Sequence, residues 1–456
     1  STDRGGSWEK RNPWKSVSAQ YYQEIFCDPF NPDKIYMPDT YTVYSFDGGA
    51  TFNRMGLKYR HVDDHAFWVD KDLLDHFLIG GDGGIYETYD GGQNWRWFGH
   101  LPVGQFYRIQ ADNSEPFYYV YGGTQDNNSW GGPSQTNNNG GILNDDWFQT
   151  IGGDGYESQI DPVDPNIVYS EFQYGGIGRF DRRNGELKFI QPQPKEGEMV
   201  RWNWDCPFII SPHDNKTLYI AANVVFKSTD RGDTWEQISP DLTRQKDRNL
   251  LKVMGKLWNA DAVAKNASTS LYGNIVSLAE SPVKKGMIYV GTDDGLIQVT
   301  EDDGKTWSKY EKINGLPELI YVSDIFPSQF NENVVYATYD NHKTGDFKPY
   351  VFKSNDKGKT WVSISSNLPE RGTVYTIAED FVDSNLLFVG TEFGLYFSNN
   401  GGEKWIQLTG KFPTINVRDL DIQKGENDLI VGTFGRGIYS LDGYSPLRNL
   451  TKENLE

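Results

Sequence analysis

Short apolar stretches rich in Val, Ile, Tyr and Phe recur along the whole chain, each bounded by clusters of Gly, Asn, Asp and Pro. Runs with helical periodicity are few, so the pattern predicts an all-β protein built from many short strands. A hairpin signature, Asp or Ser followed by Pro and, six residues on, an aromatic at the start of a Gly-Thr strand end, is clear at Asp28–Tyr36, Asp161–Tyr169, Ser211–Tyr219 and Ser281–Tyr289. Looser copies run over Asp70–Ile79, Ala111–Tyr121, Pro327–Tyr336, Asp380–Phe388 and Asp421–Ile430. Each copy predicts the first two strands of one repeating sheet, which makes nine in all.

A second repeat interleaves with the first. The motif S/T-x-D-x-G-x-T-W reads STDRGGSW from Ser1, SFDGGATF from Ser45, TYDGGQNW from Thr88 and STDRGDTW from Ser228. It continues as TEDDGKTW from Thr300, SNDKGKTW from Ser354 and SNNGGEKW from Ser398. The central residues Asp3, Asp47, Asp90, Asp230, Asp302, Asp356 and Asn400 are given a structural role. Their side chains accept backbone N–H groups of their own loop, the Gly supplies positive φ, and the Trp packs between sheets. Steps of about 43 residues match one four-stranded propeller blade. The long gap from Asp90 to Asp230 leaves room for two blades whose turn has degenerated, near Asn137–Asp146 and Arg179–Phe189. The fold predicted is therefore an all-β propeller of about nine blades, with the turn joining strands three and four of each.

The orphan turn at residues 1–8 admits two groupings. It closes a single nine- or ten-bladed ring, or it belongs to the end of an earlier ring whose remaining blades lie outside this sequence. Several strings resemble the large bacterial Asp-box (BNR-repeat) β-propeller proteins labelled glycosyl hydrolase or sortilin-like: HVDDHAFWVD (61–70), LPVGQFYRIQAD (101–112), YGGTQDNNSWGGPS (121–134) and GGDGYESQIDP (152–162). The same is true of ISPDLTR (238–244), ESPVKKGMIYVGTDDG (280–295), DNHKTGDFKPYVFKSND (340–356) and GTEFGLYFSNNGG (390–402). The resemblance implies two seven-bladed rings, a layout similar to the two-propeller xyloglucanases. On that reading residues 1–104 are the final strand and two blades of a first propeller, residues 105–445 form a complete seven-bladed one, and residues 446–456 are a tail. The missing N-terminal blades, in the same or another chain, are then a required partner. The resemblance also implies a secreted, periplasmic or outer-surface location.

Composition narrows the partners. The 456 residues carry 63 Asp and Glu against 44 Lys and Arg, a formal charge of −19. Nucleic acid, which needs clustered cations, is excluded as a ligand. No stretch is long and apolar enough for a membrane span. The two cysteines, Cys27 and Cys206, make neither a disulfide framework nor a metal-ligand spacing. No P-loop, HExxH or GxSxG occurs, and no cofactor is predicted.

Topology places the recurring turns at the periphery of one face and the Gly-rich loops between strands two and three on the other. Ligand-binding candidates are therefore sought in those loops and in the interblade segments: Asp126, Trp130, Asp154, Trp202, Asp293, Asp294, Glu392, Arg418 and Arg436. Carboxylates with tryptophans suit a sugar site, although acidic residues in such turns commonly satisfy their own backbone. HVDDH offers a weak metal candidate, His61, Asp63 and His65, if strand alternation puts them on one face. The insertion at 242–269 is lysine-rich and helix-compatible, a candidate lid or partner contact. Two functions follow. One is an extracellular, non-catalytic propeller that binds a protein, peptide or glycan on its loop face. The other is a glycoside hydrolase acting on a polysaccharide in a cleft between two propellers, which requires two carboxylates set apart across the bond.

Overall fold

The computed structural model describes all residues except 2, 19–20, 23, 263–264, 266–269 and 451–456. The chain is built from antiparallel sheets in which consecutive strands pair in sequence order, eight with four strands and one with three. Its only helical elements among the described residues are short 3-10 turns. These are the blades of a β-propeller. The chain divides into two compact units, Ser1–Pro102 and Val103–Glu456.

The first unit holds two four-stranded sheets, from Phe26–Cys27 to Asn53–Arg54 and from Asp64–Val69 to Arg96–Trp97. They face each other across Tyr36, Met55, Phe67, Phe77 and Ile79. Tyr36 stacks on Phe67 with ring centroids 4.7 Å apart. The turn at residues 1–8 is formed, with Asp3 accepting Ser7 N at 2.8 Å. Its Trp8 is nonetheless 82% exposed, with no sheet to cover it among the described residues.

The second unit holds seven sheets, beginning with Phe106–Ala111 and ending with Ile438–Leu441. The first strand of each packs against the first strand of the next, and the last sheet returns to the first, so the seven close into a ring. Ile430 of the seventh sheet packs with Ile109, Tyr118 and Val120 of the first. Burial is greatest in the middle strands of the blades. Second strands such as Ile288–Thr292 and Leu387–Thr391 are buried at all positions because a neighbouring sheet covers each face. Outer strands such as Val362–Ser363 are exposed.

The recurring turns join strands three and four. In the copy from Ser228, Asp230 accepts Thr234 N at 2.8 Å and the Thr234 hydroxyl at 2.6 Å, while Ser228 Oγ accepts Gly232 N at 2.9 Å. Gly232 sits at φ 83°, a left-handed conformation that costs glycine nothing. The tryptophan then reaches the preceding sheet. Trp235 Nε1 donates to Ile190 O at 2.6 Å, Trp307 to Ile238 O at 3.3 Å and Trp405 to Ile364 O at 2.8 Å. These three turns therefore tie their blades to the ones before.

The seventh sheet has only three strands. After Ile438–Leu441 a fragment of the same turn survives, with Ser440 Oγ donating to Asp442 at 2.6 Å. The chain then leaves through a 3-10 turn, Ser445–Asn449. Asp380 of the sixth sheet anchors this exit by accepting Tyr444 Oη at 2.5 Å and pairing with Arg448 at 2.8 Å. The insertion at 242–269 forms no helix among its described residues beyond a 3-10 turn at Arg248–Leu250, and the reading of it as helix-compatible falls partly outside those residues.

Candidate functional site: the mouth of the second unit's channel

The loops between strands two and three of the second unit surround one mouth of its central channel. The first of them interlocks with the interblade segment that leads into the next sheet. Asp126 at φ 60° and Asn128 at φ 69° turn the first loop back on itself. Asn128 N then donates to Gly153 O and Gly155 N to Thr124 O, both at 2.9 Å. The approach needs glycine on both sides. A Cβ on Gly123 would lie 2.2 Å from the backbone of Gly155 and Tyr156, and one on Gly155 would lie 2.3 Å from Asn128 O. This contact delivers Asp126 N to Asp154 Oδ1 at 2.8 Å and brings the two carboxyl groups into hydrogen-bonding reach of each other. Burial, and then the neighbouring Asp126, push the Asp154 carboxyl up to about 7. The pair thus holds a proton near neutrality.

An aromatic and cationic arc continues from this pair. Tyr107 Oη donates to Gln125 Oε1, and its ring lies 5.0 Å from Tyr156 and 5.4 Å from Phe434. The Arg418 guanidinium sits 5.4 Å from the Phe434 ring and 4.5 Å over Tyr375. Tyr375 Oη donates in turn to Glu392 Oε2, which Asn416 Nδ2 also approaches at 3.5 Å. Five of the residues singled out from the sequence fall on this loop face as one arc or close to it: Asp126, Asp154, Glu392, Arg418 and, through its backbone N donating to Thr433 Oγ1 at 3.1 Å, Arg436. Trp130 closes the first loop, donating from Nε1 to Asn127 O at 2.5 Å.

The remaining candidates are occupied by their own surroundings. Asp293 accepts the amides of Gly273 and Asn274 at 3.1 and 2.9 Å, and burial raises it to about 7. Asp294 is fully buried and accepts Thr292 Oγ1 at 2.6 Å and Arg244 N at 2.7 Å. Trp202 stacks on Phe226 at 5.8 Å and covers Gly175, where a Cβ would meet its ring at 2.4 Å. In the first unit His61 and Asp63 precede the strand Asp64–Val69, so strand alternation does not align them. His61 Nδ1 contacts Val62 O at 2.7 Å, Asp63 accepts Tyr22 Oη at 2.7 Å, and His65 pairs with Asp82 at 3.0 Å. Among the described residues no group of three or more His, Cys, Asp or Glu is placed to hold a metal ion.

Below the mouth lies a layer that sequence reasoning missed. The innermost strands carry Arg108, Asp324 and Asp419, and the segments leading into two of them carry Glu157 and Asp205. Arg108 Nε lies 3.4 Å from Asp205, and Glu157 accepts Gln159 Nε2 at 2.9 Å. Asp419 accepts Ile109 N at 2.9 Å, and Asp324 accepts Ile377 N and Thr376 Oγ1, each at 3.0 Å. These contacts follow a rule of construction. The first hairpin of several blades carries a bulge, between Val322 and Asp324 and between Val417 and Asp419 for example. The bulge re-aims one side chain toward the unpaired edge of the next inner strand. Burial is the main reason that Glu157, Asp324 and Asp419 all hold their protons above the usual carboxylate range. The available signal was an Asp inside a first-strand segment, as at Asp324 in YVSDIFP and at Asp419 and Asp421 in VRDLDIQ.

Chemically, the mouth presents hydrogen-bond acceptors, tyrosine faces and one cation, on a rigid frame. Both known geometries of glycoside hydrolysis set two carboxyl groups at least about 5 Å apart. Asp126 and Asp154 lie in hydrogen-bonding reach of each other, while Asp293, Asp294 and Glu392 are engaged by Asn274 N, Arg244 N and Tyr375 Oη respectively.

The fold and the site together define a β-propeller with a polar, aromatic loop face. No family model matches the chain. Xyloglucanase Xgh74A of Acetivibrio thermocellus is 26% identical over 282 residues, which cover 54% of this chain and 31% of that protein, and a second sequence of the same name and species matches to the same extent. The chain thus corresponds to under a third of the curated relatives it matches. Among solved structures, the crystal structure of the computationally designed Ika8 protein aligns with a TM-score of 0.43 and 14% identity, over 83% of this chain and 95% of that one. At the level of sequence the chain is distantly similar to a xyloglucanase.

Proposed function

We propose that this protein is a non-catalytic binding propeller that holds a glycan on the loop face of its second unit, in an extracellular or cell-surface setting. The observation that carries the reading is the state of the rim carboxylates: Asp126 and Asp154 lie in hydrogen-bonding reach of one another, and Asp293 and Glu392 are held by donors at or on the first strands of their sheets. That arrangement offers acceptors to hydroxyl donors, and the Asp126–Asp154 contact is closer than the carboxyl spacing that glycoside hydrolysis uses. Tyr107, Tyr375 and Phe434 supply ring faces for sugar rings, and Arg418, held between two of them, supplies a directed donor. A protein or peptide ligand uses the same acceptors and is the other outcome of the test. The two sheets of residues 1–104 fit an earlier ring completed by further blades, for which the bare Trp8 is the support.

A second reading, a glycoside hydrolase acting on a polysaccharide, is favoured by the similarity to a xyloglucanase. The two are separated by probing the intact chain on a glycan array while assaying release of reducing ends from xyloglucan and other polysaccharides. Binding without release supports the binding propeller. Release of reducing ends establishes the hydrolase, and capture of peptides with no glycan bound replaces the ligand class.

A further inference from the structure

A cleft of about 470 Å³ opens between the third and fourth sheets of the second unit. Its walls are the segment after Glu236–Gln237, carrying Asp241 and Arg244, and the outer edge of the fourth sheet, carrying Gln298, Lys305, Trp307 and Lys309. Its size is that of a small-ligand site.

The charges in this cleft are arranged differently from those elsewhere on an acidic protein. Arg244 is pinned by main-chain carbonyls: Nε donates to Asp294 O at 2.7 Å, and Nη2 to Glu311 O at 2.7 Å and Gly295 O at 3.3 Å. Among the described residues no carboxylate lies within ion-pairing distance of its guanidinium or of Lys305. Lys309 pairs with Glu311 at 2.5 Å in an exposed contact. The single carboxylate in the wall, Asp241, is already neutralised by Arg201 at 2.7 Å and by Thr243 Oγ1.

The molecule contains its own control. The corresponding cleft between the second and third sheets is also lined by cations, and three of its four are paired internally. There Arg179 and Lys188 pair with Asp233 at 3.1 and 2.7 Å, and Arg231 pairs with Asp161 at 2.9 Å. In the former cleft Arg244 and Lys305, on two walls beside a half-buried indole, have no carboxylate within ion-pairing distance among the described residues.

We infer that the cleft formed by Arg244, Lys305, Trp307 and Lys309 is a second binding site, for a sugar unit bearing an oxyanion, a carboxylate or a sulfate ester. A fixed guanidinium and two mobile ammonium groups meet the anion. The indole edge and the Gln298 side of the cleft meet the ring. The site stands whether or not the mouth binds a glycan.

The test is calorimetric titration of the intact chain with tetragalacturonate, with a sulfated carrageenan tetrasaccharide, and with fully methyl-esterified tetragalacturonate as the neutral control. One or both anionic probes bind, which identifies the oxyanion, and the neutral control does not. Lys305→Ala and Lys309→Ala alter exposed side chains outside the fold's core, and each weakens binding roughly threefold to tenfold. Raising salt from about 0.05 to 0.3 M weakens it further. Failure of both anionic probes, equal binding of the methyl ester, or unchanged affinity in the Lys305→Ala/Lys309→Ala double variant overturns the site.

Discussion

Asp419 of the seventh sheet accepts the backbone N–H of Ile109 in the first at 2.9 Å, across the seam where the ring of the second unit closes. The chain positions are 310 residues apart, so this one hydrogen bond joins the two ends of a propeller. Asp421 repeats it on Ala111 N at 2.7 Å, and Tyr118 Oη donates to Asp428 at 2.8 Å. The channel carboxylates are therefore first of all fasteners between blades, and only their unused oxygens face the lumen.

Replacing Asp419 by Ala leaves the Ile109 N–H without its acceptor inside the channel. The expected loss is about 1–3 kcal/mol of stability, the cost of one unsatisfied buried donor. Asp419→Asn keeps an acceptor oxygen and loses less. Urea denaturation of the two variants checks the order, and equal losses refute the acceptor role.

Trp405, only 2% exposed, fills the space between the fifth and sixth sheets of the second unit and donates to Ile364 O at 2.8 Å. Trp405→Ala is expected to cost about 3–5 kcal/mol, the usual range for emptying a large aromatic site. Trp8→Ala, at an exposed ring, should leave the thermal midpoint of the chain within a degree or so. A comparable loss at both positions in calorimetry contradicts the interblade role.

The turn aspartates set the acid limit. Their own Ser, Thr and Asn side chains and backbone amides hold Asp47, Asp90, Asp230 and Asp302 down to about 2. A carboxylate whose folded value lies below its unfolded one stabilises the fold above the unfolded value of about 3.9. That stabilisation disappears as pH falls through the folded value. The thermal midpoint is expected to drop between pH 4 and pH 2, and replacing Asp230 by Asn should shallow the drop.

Asp154 and Asp293 act in the opposite direction. Both are raised to about 7, chiefly by burial, so the folded state binds more protons than the unfolded chain between pH 4 and 7. Stability from these two groups therefore declines as pH rises through that window. Asp293→Asn, which cannot ionise, should flatten the decline between pH 5 and 8 in a differential scanning series. An unchanged slope would count against a raised Asp293.

On the rim, Tyr375→Phe removes the donor to Glu392, and Arg418→Ala removes the cation between Tyr375 and Phe434. Under the proposed function each weakens capture of any glycan that the array identifies, Arg418→Ala by about tenfold. Circular dichroism serves to confirm the fold. Retention of full affinity in both variants moves the ligand off this arc.

Local chemistry made the blades legible. An Asp, a Gly and two hydroxyls within eight residues specify their own turn, and the bonds within the Ser228 copy need no partner from elsewhere. The hairpin signatures likewise mark strands that DP or SP turns begin, as at Asp161, whose Oδ1 accepts Val163 N at 2.9 Å. The site was legible only in part. The loops carrying Asp126 and Asp154 stand out for their glycines, yet nothing local reveals that the two carboxyls meet. Asp324 and Asp419 gave still less signal, because a bulge, not the alternation of the strand, decides where they point.

By its own sequence the chain determined the repeating turn, the strand order within each sheet and the acidic balance, since these depend on contacts within a few tens of residues. The tertiary structure alone decided the rest. It closed seven sheets of the second unit into a ring, put Asp126 against Asp154, and left Arg244 and Lys305 without carboxylate partners within ion-pairing distance among the described residues. Each of these depends on which neighbour a rigid blade is packed against. The spacing of the recurring turns counts the blades, but only burial and closure assign the charges between them.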